Sequence, residues 1–482
     1  MKLLKRLENA WEFWFLFITS IFFFLLRFPS LFEPYWYGDE GIYQVLGMGI
    51  RQGKLLYRDI FDNKPPLLYV FYSFFNGDQF LTRLLSLFFG VAAVIAFYYL
   101  SKALFKNKKI PLLTTGAFAI LFGLPIVEGN IANAENFMLF PIILGGLFLV
   151  SQKHFKYKYF LAGLLVGIAF LFKIVAVFDF VAFFLFIIFA KPDLNFNKLR
   201  NKGLDAFNFV AGFIIPILLT TVIFISQGAF NDFIKAIFFS NIGYVAYGNK
   251  FLIPQGLLIL KLVVLSIFIF LVFKKREKLT IPGVFIFLWF AFSLYNAFFS
   301  QRPYTHYILV LLPSICLLLG FIFDNSHFRK FSIVIFLVST VLITQSFWLF
   351  TKTKYYYQNF FSFLINPDKV VTYQKFFDGK TPRDYKLAAY IKDHSKKDDT
   401  VFIWGNNAQL YKLTNKLPPE KYAVAYHITN YKDGIPLTKK ALTKNPPKLI
   451  IVMPNVSPYP FTIANYNLKM VIEKVLIYER IF

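Results

Sequence analysis

The chain has 482 residues, 57% of them hydrophobic and only 16% charged, whereas soluble domains run about 45–50% apolar and about 25% charged. With 66 phenylalanines and a mean hydropathy of +0.55, the chain cannot bury its apolar side chains in one water-soluble core, so part of its solvent is hydrocarbon. The formal charge of +26 raises nucleic acid as a partner. The basic residues stand in short clusters between apolar runs, however, which excludes that reading. Cys316 is the one cysteine, so neither a disulfide framework nor a cysteine metal site exists.

A helix needs about 20 mostly apolar residues to cross about 30 Å of hydrocarbon. Spans are expected near residues 11–32, 80–104, 110–127, 137–150, 159–173, 175–190, 207–226, 253–273, 281–300, 307–323 and 331–350, eleven in all. The first is too long for a cleavable signal peptide, carries Arg27 and lacks a small-residue cleavage site. The run 159–190 is divided because Lys173 and Asp179 stand inside it and it is too long for one crossing.

Lysine and arginine in short loops set orientation. With eleven spans, one side collects Lys2/Lys5/Arg6, Lys102/Lys106/Lys108/Lys109, Lys153/Lys156/Lys158, Lys191/Lys198/Arg200/Lys202, Lys274/Lys275/Arg276/Lys278 and Arg329/Lys330. That side is read as cytoplasmic. Asp39, Glu40, Asp59, Asp62, Glu128 and Glu135 fall on the other. The expectation is a multi-pass plasma-membrane protein with a cytoplasmic N-terminus and a C-terminal domain outside.

The outer side carries a loop over 33–78, too long for a simple turn. Within it, 39–56 has Ile42, Val45, Leu46, Gly49 and Ile50 at roughly helical spacing, which predicts an amphipathic surface helix. Pro65-Pro66 opens a second apolar stretch, 67–75, too short to span. The polar tail has helix-like 384–394 and strand-like 400–404 and 448–452. The fold class expected is therefore an all-α polytopic membrane domain (residues 1–351), with amphipathic surface helices in the first outer loop, followed by a small extracytoplasmic α/β domain (residues 352–482).

Four outer-face segments carry candidate chemistry. In Gly38-Asp39-Glu40-Gly41, with Tyr43 beyond, two carboxylates sit at the membrane edge. Transfer to a hydroxyl needs a carboxylate to take its proton; the bland reading is a helix start, where the dipole favours acids. In Tyr57-Arg58-Asp59-Ile60-Phe61-Asp62-Asn63-Lys64-Pro65-Pro66, Lys64 is held at the start of an interfacial segment. It is either a point charge for a lipid phosphate or a snorkelling lysine. The short outer loop from Glu128 through Asn133 to Glu135 and Asn136 is acidic, with no basic residue. Glu135 at membrane depth reads as functional or as a helix-start acid. In Gln301-Arg302-Pro303-Tyr304-Thr305-His306-Tyr307, Arg302 and His306 offer phosphate donors, or the segment is an aromatic belt with an anchoring arginine. Lys173 reads as a site cation or, with more weight, as the marker of where its run leaves the membrane. Together the segments make a cationic pocket beside candidate bases, which suits a substrate whose leaving group is a lipid phosphate.

At these residues the chain resembles the GT-C membrane glycosyltransferases, in the branch of protein mannosyltransferases and aminoarabinose transferases. The resemblance covers the whole chain. It is strongest in Tyr37-Gly-Asp-Glu-Gly-Ile-Tyr43, Asp62-Asn-Lys-Pro-Pro66, residues 163–173, Arg302-Pro-Tyr-Thr-His-Tyr307 on to Pro313, and Val401-Phe-Ile-Trp-Gly405 followed by Tyr411. It implies Asp39 as base, Glu135 as the second acid, and Lys64 as the lysine that contacts the carrier phosphate. The acid that usually precedes that lysine is displaced here to Asp62, which leaves a divalent-metal role there open; no other cofactor is expected. The resemblance implies a polyprenyl-phosphate sugar donor, an acceptor that is a glycan, lipid or protein, and inversion at the sugar. Two other classes stay open. A lipid or sugar transporter would show inverted repeats and midplane charges, and neither is seen. A ligase using a lipid diphosphate would be expected to carry more outer-face arginine than Arg302.

Overall fold

The computed structural model describes residues 2–151, 156–189, 196–253 and 255–481. Lys153 and Lys191 of the basic clusters lie outside them. Among the described residues, seven helices are long and apolar enough to cross a membrane: Ala10–Phe32, Gln79–Leu104, Arg200–Ser226, Gly256–Lys275, Ile281–Phe298, Thr305–Asp324 and Arg329–Ser346. Four shorter apolar helices accompany them, Lys109–Gly123, Ala134–Val150, Lys158–Phe170 and Ile174–Phe189. These fall on the eleven expected segments, and the protein is a multi-pass membrane protein. The run 159–190 breaks at Lys173, whose backbone is extended between helix Lys158–Phe170 and the 3-10 turn Ile174–Ala176.

The described chain falls into two compact units. The first holds Met1–Ser30, Arg83–Ile223 and Phe238–Thr353. Its helices pack through aromatic pairs such as Phe97–Phe118, with ring centroids 4.6 Å apart, and Phe180–Phe213, 4.1 Å apart. Small residues also bring backbones together there, because a side chain at Gly163 or Gly212 would strike the facing Phe209 or Phe160 carbonyl. Buried Arg27 donates to Asn136 Oδ1 (3.4 Å) and Ser86 Oγ (3.5 Å). The Asn136 amide in turn donates to the Ile131 carbonyl at 2.6 Å, which fixes the turn that leads into helix Ala134–Val150.

The second unit is not one stretch of chain. It gathers Leu31–Thr82, Phe224–Ile237 and Lys354–Phe482. Strands β1 (Val401–Trp404), β2 (Leu449–Val452), β3 (Tyr466–Ile472) and β4 (Val475–Arg480) form one sheet in the order β1-β2-β4-β3. β1 and β2 run parallel, with Val401 opposite Leu449; the other pairs are antiparallel. Helices Gln409–Thr414, Ala425–Asn430 and Gly434–Lys444 make the crossover. The helix expected over 384–394 runs Thr381–His394.

Residues 33–78 belong to this unit and are bonded to the C-terminal residues. The Tyr356 hydroxyl donates to Glu33 at 2.7 Å, and Lys412 Nζ donates to the Asn76 carbonyl at 2.8 Å. The expected surface helix is helix Gly38–Arg51, buried continuously from Glu40 to Gly49 rather than along one stripe. Glycine explains the extra cover. A Cβ at Gly41 would come 2.7 Å from the Gln409 nitrogen, and one at Gly47 would come 2.7 Å from the Tyr72 carbonyl carbon. The second face therefore docks backbone to backbone, a contact that apolar periodicity does not announce.

Candidate active site

A cluster of charge is built within each unit. In the second unit, Asp39 opens helix Gly38–Arg51, and its neighbour Glu40 shares the first turn. Helical geometry sends the two apart. The Asp39 side chain is 42% exposed, accepts from the Tyr43 hydroxyl at 3.2 Å, one helical turn on, and lies 3.8 Å from Lys64 Nζ. Glu40 is buried and accepts from Tyr72 at 3.4 Å.

Asp62 and Lys64 are set by the Pro65-Pro66 corner and by helix Leu67–Phe74 after it. Buried Asp62 accepts from the Asn63 amide (2.8 Å), the Tyr69 hydroxyl (2.8 Å) and Lys64 Nζ (3.5 Å). The Tyr69 oxygen also accepts the Lys64 amide at 3.1 Å. Lys64 Nζ lies 4.8 Å from the centre of the Tyr43 ring. Burial alone would raise the Asp62 carboxyl. The Lys64 ammonium, a protonated His427 when there is one, the Asn63 N–H and the Tyr69 hydroxyl outweigh it and hold the carboxyl below its ordinary range. Tyr57, in the left-handed region at φ 70°, donates to the Lys64 carbonyl at 2.7 Å and packs on Phe224. Arg58 takes a different course, to Asp232 at 3.3 Å and to the Gly228 carbonyl.

In the first unit, buried Glu135 begins helix Ala134–Val150 and is ion-paired with Lys173. His306 Nε2 lies 4.0 Å from Glu135, and His306 Nδ1 lies 2.7 Å from Glu128 Oε2. Glu128 adopts a left-handed backbone (φ 57°), and Lys173 Nζ sits 4.3 Å from the centre of the Tyr307 ring. Arg302 is half-buried just ahead of these residues in sequence. Lys173 stands at the helix break, and its ammonium pairs with Glu135.

The expected site residues divide accordingly. Asp39, Lys64 and the backbone contact from Tyr57 come together with Asp62, Tyr43 and Tyr69. Glu135, His306 and Tyr307 come together with Glu128 and Lys173. Among the described residues no group of three His, Cys, Asp or Glu side chains converges as a metal ligand set; the charge between Asp39 and Asp62 is the Lys64 ammonium. His427 of helix Ala425–Asn430 belongs with the first cluster and was not expected. Burial holds its imidazole down at about 4, and its charge is coupled to Asp62, Lys64 and Asp39.

A family model described as dolichyl-phosphate-mannose-protein mannosyltransferase matches residues 61–234, a little over a third of the chain. The structure aligns with ArnT from Cupriavidus metallidurans in its apo state over 98% of both chains, with a TM-score of 0.56 at 11% identity. The chain has the GT-C fold. The same GT-C alignment is found with ArnT bound to undecaprenyl phosphate, at a TM-score of 0.54, 11% identity and 98% of both chains. The oligosaccharyltransferase of Archaeoglobus fulgidus in its apo form gives 0.50 at 12% identity, over 92% of this chain and 70% of that one. No curated protein matches the sequence. The mannosyltransferase match includes Asp62, Lys64, Glu135 and Lys173 and stops short of Asp39, His306 and His427 at either end.

Proposed function

We propose that this chain is a membrane glycosyltransferase. It takes a sugar from a polyprenyl-phosphate carrier and passes it to an acceptor hydroxyl on the extracytoplasmic face, with inversion. The reading is supported by the GT-C fold, by the mannosyltransferase match, and by the undecaprenyl phosphate bound to ArnT. The observation that carries it is the arrangement around Lys64. A lysine on a proline-stiffened corner stands between a buried acid, Asp62, that fixes its charge and an exposed acid, Asp39, that is able to receive a proton.

The chemistry follows from those positions. Asp39 takes the proton of the acceptor hydroxyl, whose oxygen attacks the anomeric carbon from the face opposite the carrier. The bond from that carbon to the phosphate oxygen breaks, and its electron pair leaves on the phosphate. Lys64 meets the developing negative charge, a term worth several kcal/mol in a water-poor site. Tyr43 and Asp62 hold the ammonium in place beforehand, so little reorganisation is needed when charge develops. Within the first unit, Glu135 serves as the second acid, with Lys173 and His306 beside it. The acceptor is a glycan, lipid or protein hydroxyl. The C-terminal residues lie outside the plasma membrane and the N-terminus lies in the cytoplasm.

The test is donor titration on purified protein. Lys64→Met should raise the donor KM, lower turnover, or both, and should leave membrane insertion intact, since one interfacial lysine contributes only about 1 kcal/mol near an anionic surface. Lys64→Arg should rescue in part, because a guanidinium is larger and planar. Donor kinetics unchanged in Lys64→Met would move the phosphate elsewhere and sink this reading.

A further inference from the structure

His427 is 5% exposed. Its ring is walled by aromatic side chains: Tyr426 at 4.4 Å between ring centres, Phe61 at 5.5 Å and edge-on, Tyr431 at 5.8 Å and Tyr422 at 6.2 Å. Tyr422 and Tyr431 lie parallel, 5.6 Å apart, and the Tyr422 hydroxyl is fixed by Asp433 at 2.7 Å. Phe61 directly precedes Asp62, so this aromatic wall continues into the charged cluster. His427 Nδ1 is buried and has no hydrogen-bond partner among the described residues. Buried polar atoms are nearly always paired, and one left unpaired in an otherwise well-bonded site points to a partner that arrives with a ligand.

The character of that partner can be read from the surroundings. Burial keeps the imidazole neutral at pH 7, and a neutral imidazole matches a hydroxyl rather than a phosphate. A wall of aromatic faces suits the apolar face of a pyranose ring. The position agrees: Phe61, whose ring lies 5.5 Å from that of His427, directly precedes Asp62, whose carboxylate accepts from Lys64 at 3.5 Å, so a sugar seated on this aromatic wall lies beside the Lys64 cluster.

We propose that His427 is a sugar-contacting residue, whose Nδ1 shares a hydrogen bond with one hydroxyl of the transferred sugar while Phe61 and its neighbouring tyrosines pack against the ring. Sugar specificity is then set from helix Ala425–Asn430. This rests on the glycosyltransferase reading above.

The experiment uses the full-length protein in detergent or nanodiscs. The probes are polyprenyl-phosphate mannose, glucose and galactose, and the monodeoxy forms of whichever the parent transfers best. His427→Phe keeps the ring and removes its nitrogens; His427→Asn returns an amide near the Nδ1 position. The expected result is that His427→Phe loses about 10- to 100-fold in kcat/KM on the full sugar, with partial recovery in His427→Asn. On one monodeoxy donor, parent and His427→Phe should be alike, because the lost hydroxyl and the lost nitrogen are the two ends of one bond. An equal loss on every donor, or no loss on any, would overturn the inference. If His427→Phe is not recovered folded, His427→Asn on the same panel decides: a loss confined to one hydroxyl position supports the contact and a uniform loss overturns it. A parent that transfers none of the panel overturns the catalytic reading itself, and this inference with it.

Discussion

Asp39 and Glu40 are adjacent in sequence and opposite in circumstance, one exposed beside Lys64 and one buried under Tyr72. Asp39→Asn keeps shape and removes the base, so turnover should fall by about 10²- to 10⁴-fold with the protein still folded. Glu40→Gln should change thermal stability more than turnover, and the reverse ranking of the two variants would exchange their roles. His427 supplies a pH test. Its imidazole, ordinarily near 6.5, is held by burial at about 4. Between those values the unfolded chain binds a proton that the folded one refuses, so stability falls as pH drops through that window, by up to roughly 3 kcal/mol. Thermal unfolding from pH 7 to pH 4.5 should show this fall in the parent and a shallower one in His427→Phe; identical slopes would contradict it. Asp39, Asp62 and Lys64 were legible in the sequence because they sit in two short outer segments that each bring a charge and a breaker together. His427 was not, because its partners are Phe61 and Asp62, more than 360 residues away, and a lone histidine among tyrosines has no local signature.

Helices showed themselves where hydropathy carried the signal and hid where backbone contact did. The eleven apolar segments and the break at Lys173 follow from run length and from the charge inside one run. The burial of helix Gly38–Arg51 follows instead from Gly41 and Gly47, and Gly47→Val would drive a side chain into the Tyr72–Ser73 backbone. That change should cost at least 1–3 kcal/mol, read as lower yield of folded protein and faster proteolysis of the outer loop; parent-like stability would show that this contact is looser than described. Strands β3 and β4 went unnoticed because their two-residue turn is Glu473-Lys474, not the Asn-Gly that marks a hairpin. Both residues take positive φ, 46° and 68°. Replacing the pair with Asn-Gly should stabilise the hairpin by about 1 kcal/mol and raise Tm, and a lowered Tm would contradict the turn geometry. Helical segments within 230–248 also escaped notice, since a stretch of mixed polarity with an internal π turn presents no regular apolar period.

At the scale of the whole molecule, composition alone declared a multi-pass membrane protein, because apolar content and run length are global quantities. The grouping of the chain was less visible: Leu31–Thr82 and Phe224–Ile237 join the C-terminal residues in one unit through contacts hundreds of residues apart. If all eleven segments cross, the two ends lie on opposite sides. A reporter active only outside the cytoplasm should therefore give signal when fused after β4 and none when fused at Lys108, and the opposite pattern would refute the topology. The central claim is sugar transfer from a lipid phosphate with Asp39 as base, and it is tested most directly by following both products in one reaction. Purified parent in nanodiscs, given polyprenyl-phosphate sugar labelled in the sugar and an extract of cell-envelope acceptors, should release polyprenyl phosphate and label an acceptor in equal amounts, while Asp39→Asn does neither at a comparable rate. Label that crosses the bilayer still attached to its carrier, at the same rate in parent and Asp39→Asn, would contradict the account and make the protein a transporter.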